Sequence, residues 1–139
     1  MILAGYHGSE NARRALNRAI ELTKESKGEL RIAAVADIAS YVNYATGGVY
    51  RQFHDNTREH AKNLLADASD IARQGGIANV YGSVEDNQPA DMILTLASEY
   101  KADLIVVGRR GIRGIERFLM ASVSSAVINN AKCDVLVVK

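Results

Sequence analysis

The sequence predicts an α/β protein built on one open, doubly wound sheet of five parallel strands, with helices on both faces. Apolar segments alternate with stretches of helical spacing in the order β-α-β-α-β-α-β-α-β. The segments predicted as strands are apolar on both faces, which is typical of a parallel sheet covered on both sides. Right-handed crossovers then favour the strand order 3-2-1-4-5. We expect a single domain over residues 1–139.

The first strand and helix have clear boundary signals. Residues 2–6 form a short apolar strand, and Ser9 is placed to cap the helix that follows. Gly28 marks the expected end of this helix, and residues 30–36 form the second strand. The buried face of the helix is predicted from apolar residues at helical spacing, namely Ala12, Ala15, Leu16, Ala19 and Ile20.

The middle of the chain predicts a loop, a long helix and a strand near the sheet edge. Residues 38–52 have no sustained period and predict a loop. A long amphipathic helix is expected over residues 53–73, ended by Gly75 and Gly76. Residues 77–84 alternate weakly between apolar and polar, which predicts an edge strand.

The last part of the chain predicts two more helices and two more strands. Pro89 suits the first turn of a helix, whose apolar face we assign to Ile93, Leu96, Ala97 and Tyr100. The remaining elements are a strand over 104–107, a helix over 122–131 and a strand over 135–138.

Composition excludes some classes of protein. With 17 basic and 16 acidic residues, a net charge of +1 gives no electrostatic argument for binding nucleic acid or an anionic membrane. No apolar run approaches the ~20 residues that span a bilayer, and the first residues do not resemble a signal peptide. The one cysteine, Cys133, cannot form an internal disulfide and is expected in a buried strand. We therefore expect a cytoplasmic protein.

Two glycine-rich turns are predicted to meet at one crevice. In the order 3-2-1-4-5 the chain reverses direction between the first and fourth strands, and ligands bind outside the strand ends beside such a reversal. Those ends carry residues 5–9 and residues 108–114. The second turn leads into a helix that begins at Ser122, where unpaired N–H groups and the helix dipole favour a phosphate.

Other interpretations of the same residues remain open. Glycines can shape a sharp loop without a ligand, and Ser122 can serve as a helix cap alone. His54 and His60 lie on different helix faces, which argues against a metal site formed by that pair. The arginines after the fourth strand either form a solvated face or neutralise phosphates, and these are Arg109, Arg110, Arg113 and Arg117.

Three segments resemble the universal stress protein family, and together they span essentially the whole chain. Residues 2–10 are similar to its first strand and Asp-Gly-Ser turn, residues 103–108 to its fourth strand, and residues 131–138 to its closing strand. The family's phosphate motif is glycine, two residues, glycine, nine residues, then glycine and serine or threonine. This chain has Gly108, Gly111, Ala121 and Ser122 at those places. The resemblance implies a Rossmann-like, adenine nucleotide alpha hydrolase-like fold.

The resemblance also implies a binding site for ATP or a related adenine nucleotide, with the role of Mg²⁺ left open. It implies a homodimer paired through residues 135–139, between Val135 and Lys139, which would cover an open sheet edge. The implied nucleotide-binding residues are Gly5 and His7 on the ribose and adenine side, Val35 against the adenine, Val107, Gly108 and Gly111 near the ribose and phosphates, and Ala121, Ser122 and Val123 at the phosphates.

Two positions depart from the family pattern. His7 stands where an acidic residue is usual, and a neutral imidazole accepts through one nitrogen, whereas a carboxylate can accept both ribose hydroxyls. Ala121 replaces the third motif glycine, and its methyl group would cost roughly 1–3 kcal/mol if the backbone there is strained. That cost would weaken nucleotide binding about tenfold or more without abolishing it.

The sequence supports three functional hypotheses. The leading one is an adenine-nucleotide binding module of the stress response that acts through an unknown protein partner. We find no convincing reaction centre, because no Walker lysine lies in the glycine loop and no carboxylate is marked as a Mg²⁺ ligand. The alternative is a dimeric interaction scaffold with a degenerate site that does not bind ATP. Slow ATP hydrolysis or self-phosphorylation is the third.

Overall fold

The computed structural model describes residues 1–34, 48–84, 88–109 and 123–139, and side chains within the second range from residue 58 onward. Strands and helices alternate through these residues, as the sequence predicts. They are β1 (Ile2–Tyr6), α1 (Glu10–Ser26), β2 (Leu30–Ala34), α2 (Gly48–Gln74), β3 (Val80–Ser83), α3 (Pro89–Glu99), β4 (Leu104–Gly108), α4 (Val123–Asn130) and β5 (Asp134–Val138).

The five strands form one parallel sheet in the order β3-β2-β1-β4-β5. This confirms the predicted doubly wound topology. β1 lies at the centre, with Ile2 opposite both Leu30 and Leu104. Because β1 and β4 are neighbours and parallel, their carboxyl ends lie at the same edge of the sheet.

Helices cover both faces of the sheet, and alternate strand residues point to different helices. Ala4 and Val106 belong to the core beneath α1 and α2, whereas Leu3, Ile105 and Val107 belong to the core beneath α3 and α4. All five of these residues are nearly or completely inaccessible to solvent. Burial on both faces explains why the central strands have no polar alternation in the sequence.

The predicted helix starts at Ser9 and Pro89 are confirmed. The Ser9 hydroxyl accepts a hydrogen bond from the Ala12 N–H at 3.1 Å, and Pro89 is the first residue of α3. The first N–H groups of a helix have no partner inside it. Ser9 accepts a hydrogen bond from one of them, and Pro89 has no N–H to leave unpaired.

The end of α1 differs from the prediction by its capping residue. The helix ends at Ser26, and Lys27, not Gly28, takes the left-handed conformation with φ 52°. Gly28 follows it and donates its N–H to the Thr23 carbonyl at 3.2 Å. A left-handed lysine carries a steric cost that glycine would avoid, which the closing hydrogen bonds offset.

The predicted loop over residues 38–52 is wrong at its end, because α2 already begins at Gly48. Residues 38–47 of that prediction lie outside the described residues. A helix that is already nucleated can add turns through backbone hydrogen bonds without an apolar stripe. Periodicity therefore located the buried part of α2 and missed its first turn.

The predicted strand over residues 77–84 is too long at its start. Ile77 donates its N–H to the Ala72 carbonyl at 3.0 Å, so it closes the end of α2, and Gly76 beside it has φ +92°. The strand begins only at Val80 and lies at the edge of the sheet, as predicted. Apolar Ile77 is buried by the helix end rather than by strand pairing.

Two side chains are placed differently from their predictions. Tyr100 follows the end of α3 and is 39% exposed, so it does not belong to the buried face of that helix. Cys133 precedes β5 and is only partly buried, and burial raises the pKa of its thiol. In the described part of the chain, no helix is both long enough and apolar enough to cross a membrane.

Candidate functional site

The turns after β1 and β4 lie against each other at the carboxyl edge of the sheet. β1 and β4 pair in parallel, with Ala4 opposite Val106. The Asn11 side-chain amide, in the first turn of α1, donates a hydrogen bond to the Arg109 carbonyl oxygen at 2.5 Å. The carboxyl ends of β1 and β4 are therefore neighbours, as predicted, and α1 contacts the start of the second turn at Arg109. Residues 110–122 lie outside the described residues.

Gly108 is required by the packing between these turns. A Cβ atom at this position would lie 2.5 Å from the Asn11 carbonyl oxygen and 2.8 Å from the Ala12 nitrogen. Both atoms belong to the backbone, so neither can move aside without shifting α1. The close approach of α1 to β4 thus explains this glycine independently of any ligand.

Gly5 and Val107 form part of the packed layer beneath the crevice. A Cβ atom at Gly5 would lie 3.0 Å from Ile93 Cδ1 and 3.2 Å from Val107 Cγ1. Gly5 is buried, and Val107 is 4% exposed. Both residues lie near the carboxyl ends of their strands, and the small size of Gly5 lets α3 approach the sheet.

The turn after β1 is held in place by α1 and α2. Gly8 has φ +83°, and a Cβ atom there would lie 2.8 Å from Leu64 Cδ2 on α2. Ser9 caps α1 on the other side of the turn. His7 lies between these fixed points and is exposed.

A hydrogen bond between Tyr6 and Asp67 also holds the end of β1, and the sequence analysis missed it. The Tyr6 hydroxyl donates to Asp67 Oδ2 at 2.5 Å, across 61 positions of sequence. Burial, followed by this bond to a carboxylate, raises the pKa of Tyr6 to about 12. A polar residue on the solvent side of α2 gives no local signal that it reaches a strand end.

The start of α1 already has its own charged and polar groups. Ser9 occupies the capping position, and Glu10 brings a carboxylate into the first turn, where it forms an ion pair with Arg14 at 2.5 Å. A carboxylate beside a helix N-terminus uses the same favourable field that a phosphate would use. Among the two helices that start at this edge near β1 and β4, α4 is therefore the better candidate to receive a phosphate.

The remaining predicted site residues are only partly within the described chain. Val123 is the first residue of α4 and is half-buried against the core beneath that helix. Arg109 donates its backbone N–H to the Val138 carbonyl at 2.7 Å and leaves its side chain exposed. The predicted residues that lie outside the described ranges are Val35, Gly111, Ala121 and Ser122, together with Arg110, Arg113 and Arg117.

Comparison with known proteins identifies the family. The sequence profile of the universal stress protein family matches residues 1–139. The chain belongs to the universal stress protein family. A curated protein of Staphylococcus haemolyticus named as a universal stress protein is 36% identical over 140 residues. The match covers 99% of this chain and 83% of the length of that protein.

Solved structures of universal stress proteins have the same fold. One, described in complex with cAMP, is 28% identical and superposes with a TM-score of 0.76, covering 99% of this chain and 95% of its own. A second, from Archaeoglobus fulgidus in complex with dAMP, is 25% identical with a TM-score of 0.70, covering 99% and 96%. The resemblance read from the sequence and the Rossmann-like fold that it implied are thereby confirmed.

Proposed function

We propose that this universal stress protein binds an adenine nucleotide in the crevice between the turns after β1 and β4. The observation that carries the proposal is the contact between these turns, in which Asn11 of the first turn of α1 bonds to Arg109 after β4. This is the place where parallel sheets with a chain reversal bind ligands. The cAMP and dAMP complexes of two relatives support an adenine nucleotide as the ligand class.

The proposed contacts follow from where the residues lie. Exposed His7 would face the ribose, and the N–H groups at the start of α4, from Val123, would face the phosphates. Gly5 and Val107 would form the floor beneath the nucleotide, since both are packed under the crevice. The proposal extends to four further predicted contacts, at Val35, Gly111, Ala121 and Ser122.

We propose ATP, or a related adenine nucleotide, as the regulatory ligand of a non-catalytic module. Such a module would act in the cytoplasm during the stress response by changing its affinity for a protein partner when the nucleotide binds. Differential affinity for the nucleotide-bound and free states is the physical requirement for that behaviour. Slow ATP hydrolysis or self-phosphorylation is tested by measuring turnover in the native protein and in Ser122→Ala. Turnover that the substitution removes would belong to this protein, whereas turnover that survives it would come from a contaminant.

Calorimetric titration with ATP, ADP, AMP and cAMP tests the proposal, with each titration run in Mg²⁺ and in EDTA. We expect at least one nucleotide to bind more tightly than about 1 mM, corresponding to roughly −4 kcal/mol. Ser122→Ala should weaken that binding, whereas Ser26→Ala, at the far end of α1, should leave it unchanged. Binding weaker than millimolar for all four nucleotides would overturn the proposal.

The second candidate function is a dimeric scaffold whose nucleotide site has degenerated, and the departures at His7 and Ala121 favour it. The double variant His7→Asp with Ala121→Gly restores the family pattern and distinguishes the two. If the native site already works, binding is measurable in the native protein and we expect the double variant to change the affinity little. A large gain from undetectable binding would instead support the scaffold.

We also propose a homodimer formed through β5. This strand is the last in the sheet order, and its residues after Asp134 are only partly buried within one chain. Pairing with a second copy along residues 135–139 would satisfy the open edge and bury apolar side chains, among them Val135 next to Cys133. Lys139 would lie at the end of that interface.

A further inference from the structure

Arg31 lies over the rings of two exposed tyrosines at the side of the sheet away from β5. Its guanidinium carbon lies 3.5 Å from the ring centre of Tyr100 and 5.2 Å from that of Tyr81. Tyr81 is 43% exposed and Tyr100 is 39% exposed, although both are large aromatic residues. We call this group the Tyr81–Arg31–Tyr100 surface.

This surface lies beside the outer edge of β3. Arg31 and Tyr81 are direct neighbours in the pairing of β2 with β3. Gly82, the next residue, faces Leu65 of α2, so Tyr81 projects to the opposite face of the sheet, where Tyr100 ends α3. β3 is the terminal strand, and within the described chain its outer edge pairs with no other strand.

Among the described residues, no carboxylate forms an ion pair with Arg31. Three other arginines do have such a partner: Arg14 pairs with Glu10, Arg18 with Glu21 and Arg73 with Asp70. The Arg31 guanidinium instead lies over the rings of Tyr81 and Tyr100. A guanidinium placed over aromatic rings can still donate its N–H groups to a carboxylate.

We propose that the Tyr81–Arg31–Tyr100 surface and the edge of β3 bind an extended acidic segment of a partner protein. The segment would add a strand to β3 through backbone hydrogen bonds and would place a carboxylate on the edge of the Arg31 guanidinium. Tyrosine and arginine are the residue types that most often dominate binding energy at interfaces. Because the Arg31 guanidinium already lies over two rings, we expect little side-chain entropy to be lost when it binds.

An acidic partner fits this edge better than a second copy of the chain. The four residues of β3 are Val80, Tyr81, Gly82 and Ser83, so pairing of β3 with itself brings no carboxylate from the strand to Arg31. The paired strand itself would then supply no charge to Arg31. An acidic strand supplies both the backbone groups and the missing charge.

The test uses a labelled synthetic peptide of alternating valine and glutamate residues, and a second peptide with glutamine in place of glutamate. We expect the acidic peptide to bind at least about tenfold more tightly, because a charge-assisted hydrogen bond is lost in the glutamine peptide. In NMR spectra of the full chain, the acidic peptide should shift the amide signals of β3, and those amides should become protected from hydrogen exchange.

Three variants localise the interaction. Arg31→Gln should weaken binding of the acidic peptide about tenfold and abolish the preference over the glutamine peptide. Arg31→Lys keeps the charge but loses the planar fork, so its affinity for the acidic peptide should lie between that of the native protein and that of Arg31→Gln. Arg18→Gln removes an exposed positive charge on α1 and should have no effect, which controls for general electrostatic attraction.

Three results would overturn the proposal. The first is equal affinity for the two peptides, and the second is a loss that is the same in Arg31→Gln and Arg18→Gln. The third is self-association through β3, seen as a rise in mass by sedimentation that Tyr81→Lys removes. Thermal unfolding of each variant shows whether weaker peptide binding comes from a lost contact or from unfolding of the variant. If Arg31→Gln is unstable, the affinity of Arg31→Lys for the acidic peptide decides the question.

Discussion

At the scale of single residues, Tyr6 joins the functional edge of the sheet to α2. It is 2% exposed, and its hydroxyl donates to Asp67, which is exposed on the helix surface. The next residue along the chain is His7, so this bond holds the strand end immediately before the proposed ribose contact. A shift of α2 would therefore move the strand end next to His7.

The pKa of Tyr6 gives a prediction about alkaline stability. The folded pKa of about 12 lies above the ordinary value of 10.0, so the folded state keeps the proton longer than the unfolded chain. The stabilisation by Tyr6 is therefore complete below pH 10 and is lost as the pH rises towards 12. We expect Tyr6→Phe to lower the free energy of unfolding at neutral pH by about 1–2 kcal/mol.

Urea unfolding at neutral pH and above about pH 10 checks this expectation. The stability difference between the native protein and Tyr6→Phe should shrink in the alkaline range. Tyr81→Phe is the matched control, because it removes a hydroxyl from an exposed ring. A difference for Tyr6→Phe that stays constant with pH would contradict the assignment.

The glycines show how one residue type can have two explanations. The family resemblance implies that Gly5 and Gly108 contact the nucleotide, and the structure shows in addition that each of them is in close contact with a helix. Gly108 accommodates the backbone of α1, and Gly5 accommodates Ile93 of α3. Sequence reasoning could find that small residues are needed at the strand ends. It could not find that helices account for them, since both contacts are far apart in the chain.

At the scale of elements, Ser9 fixes where α1 starts and hence how it approaches Gly108. We expect Ser9→Ala to lower the free energy of unfolding by about 1 kcal/mol, because the Ala12 N–H loses its acceptor. Ser9→Asp keeps an acceptor and should retain most of the stability. Urea unfolding of both variants checks the prediction. Losses of equal size would show that the side-chain acceptor is not the source of the stability.

Element boundaries were predicted well where a local chemical group sets them. Ser9 and Pro89 marked helix starts correctly because capping and the missing proline N–H act within one turn. The carboxyl end of α1 and the start of β3 were misplaced because hydrogen bonds from Gly28 and Ile77 back into the preceding helices decide them. Such bonds depend on the path of the chain after the helix, which periodicity does not report.

At the scale of the whole molecule, the two edges of the sheet are predicted to have different partners. If β5 forms the homodimer, Val137→Lys should convert the dimer to a monomer, because it places a charge in an apolar strand interface. Ser83→Lys, on β3 at the other edge, should leave the dimer intact. Sedimentation equilibrium gives the mass, and circular dichroism checks the fold.

A native mass equal to one chain at all concentrations would overturn the proposed dimer. Loss of the dimer in both variants alike would also contradict the choice of β5, since it would place the contact elsewhere. Nucleotide titration of the Val137→Lys monomer then shows whether the crevice works within one chain.

The sequence by itself determined the alternation of strands and helices, the order of the sheet and the edge at which the two turns meet. These follow from local periodicity and from the handedness of crossovers, which hold for any chain with this pattern. Only the tertiary structure decided that Tyr6 bonds to Asp67, that α1 fills the space beside Gly108, and that Arg31 lies over the rings of Tyr81 and Tyr100. Those contacts join residues distant in sequence, and their geometry depends on how the helices settle on the sheet.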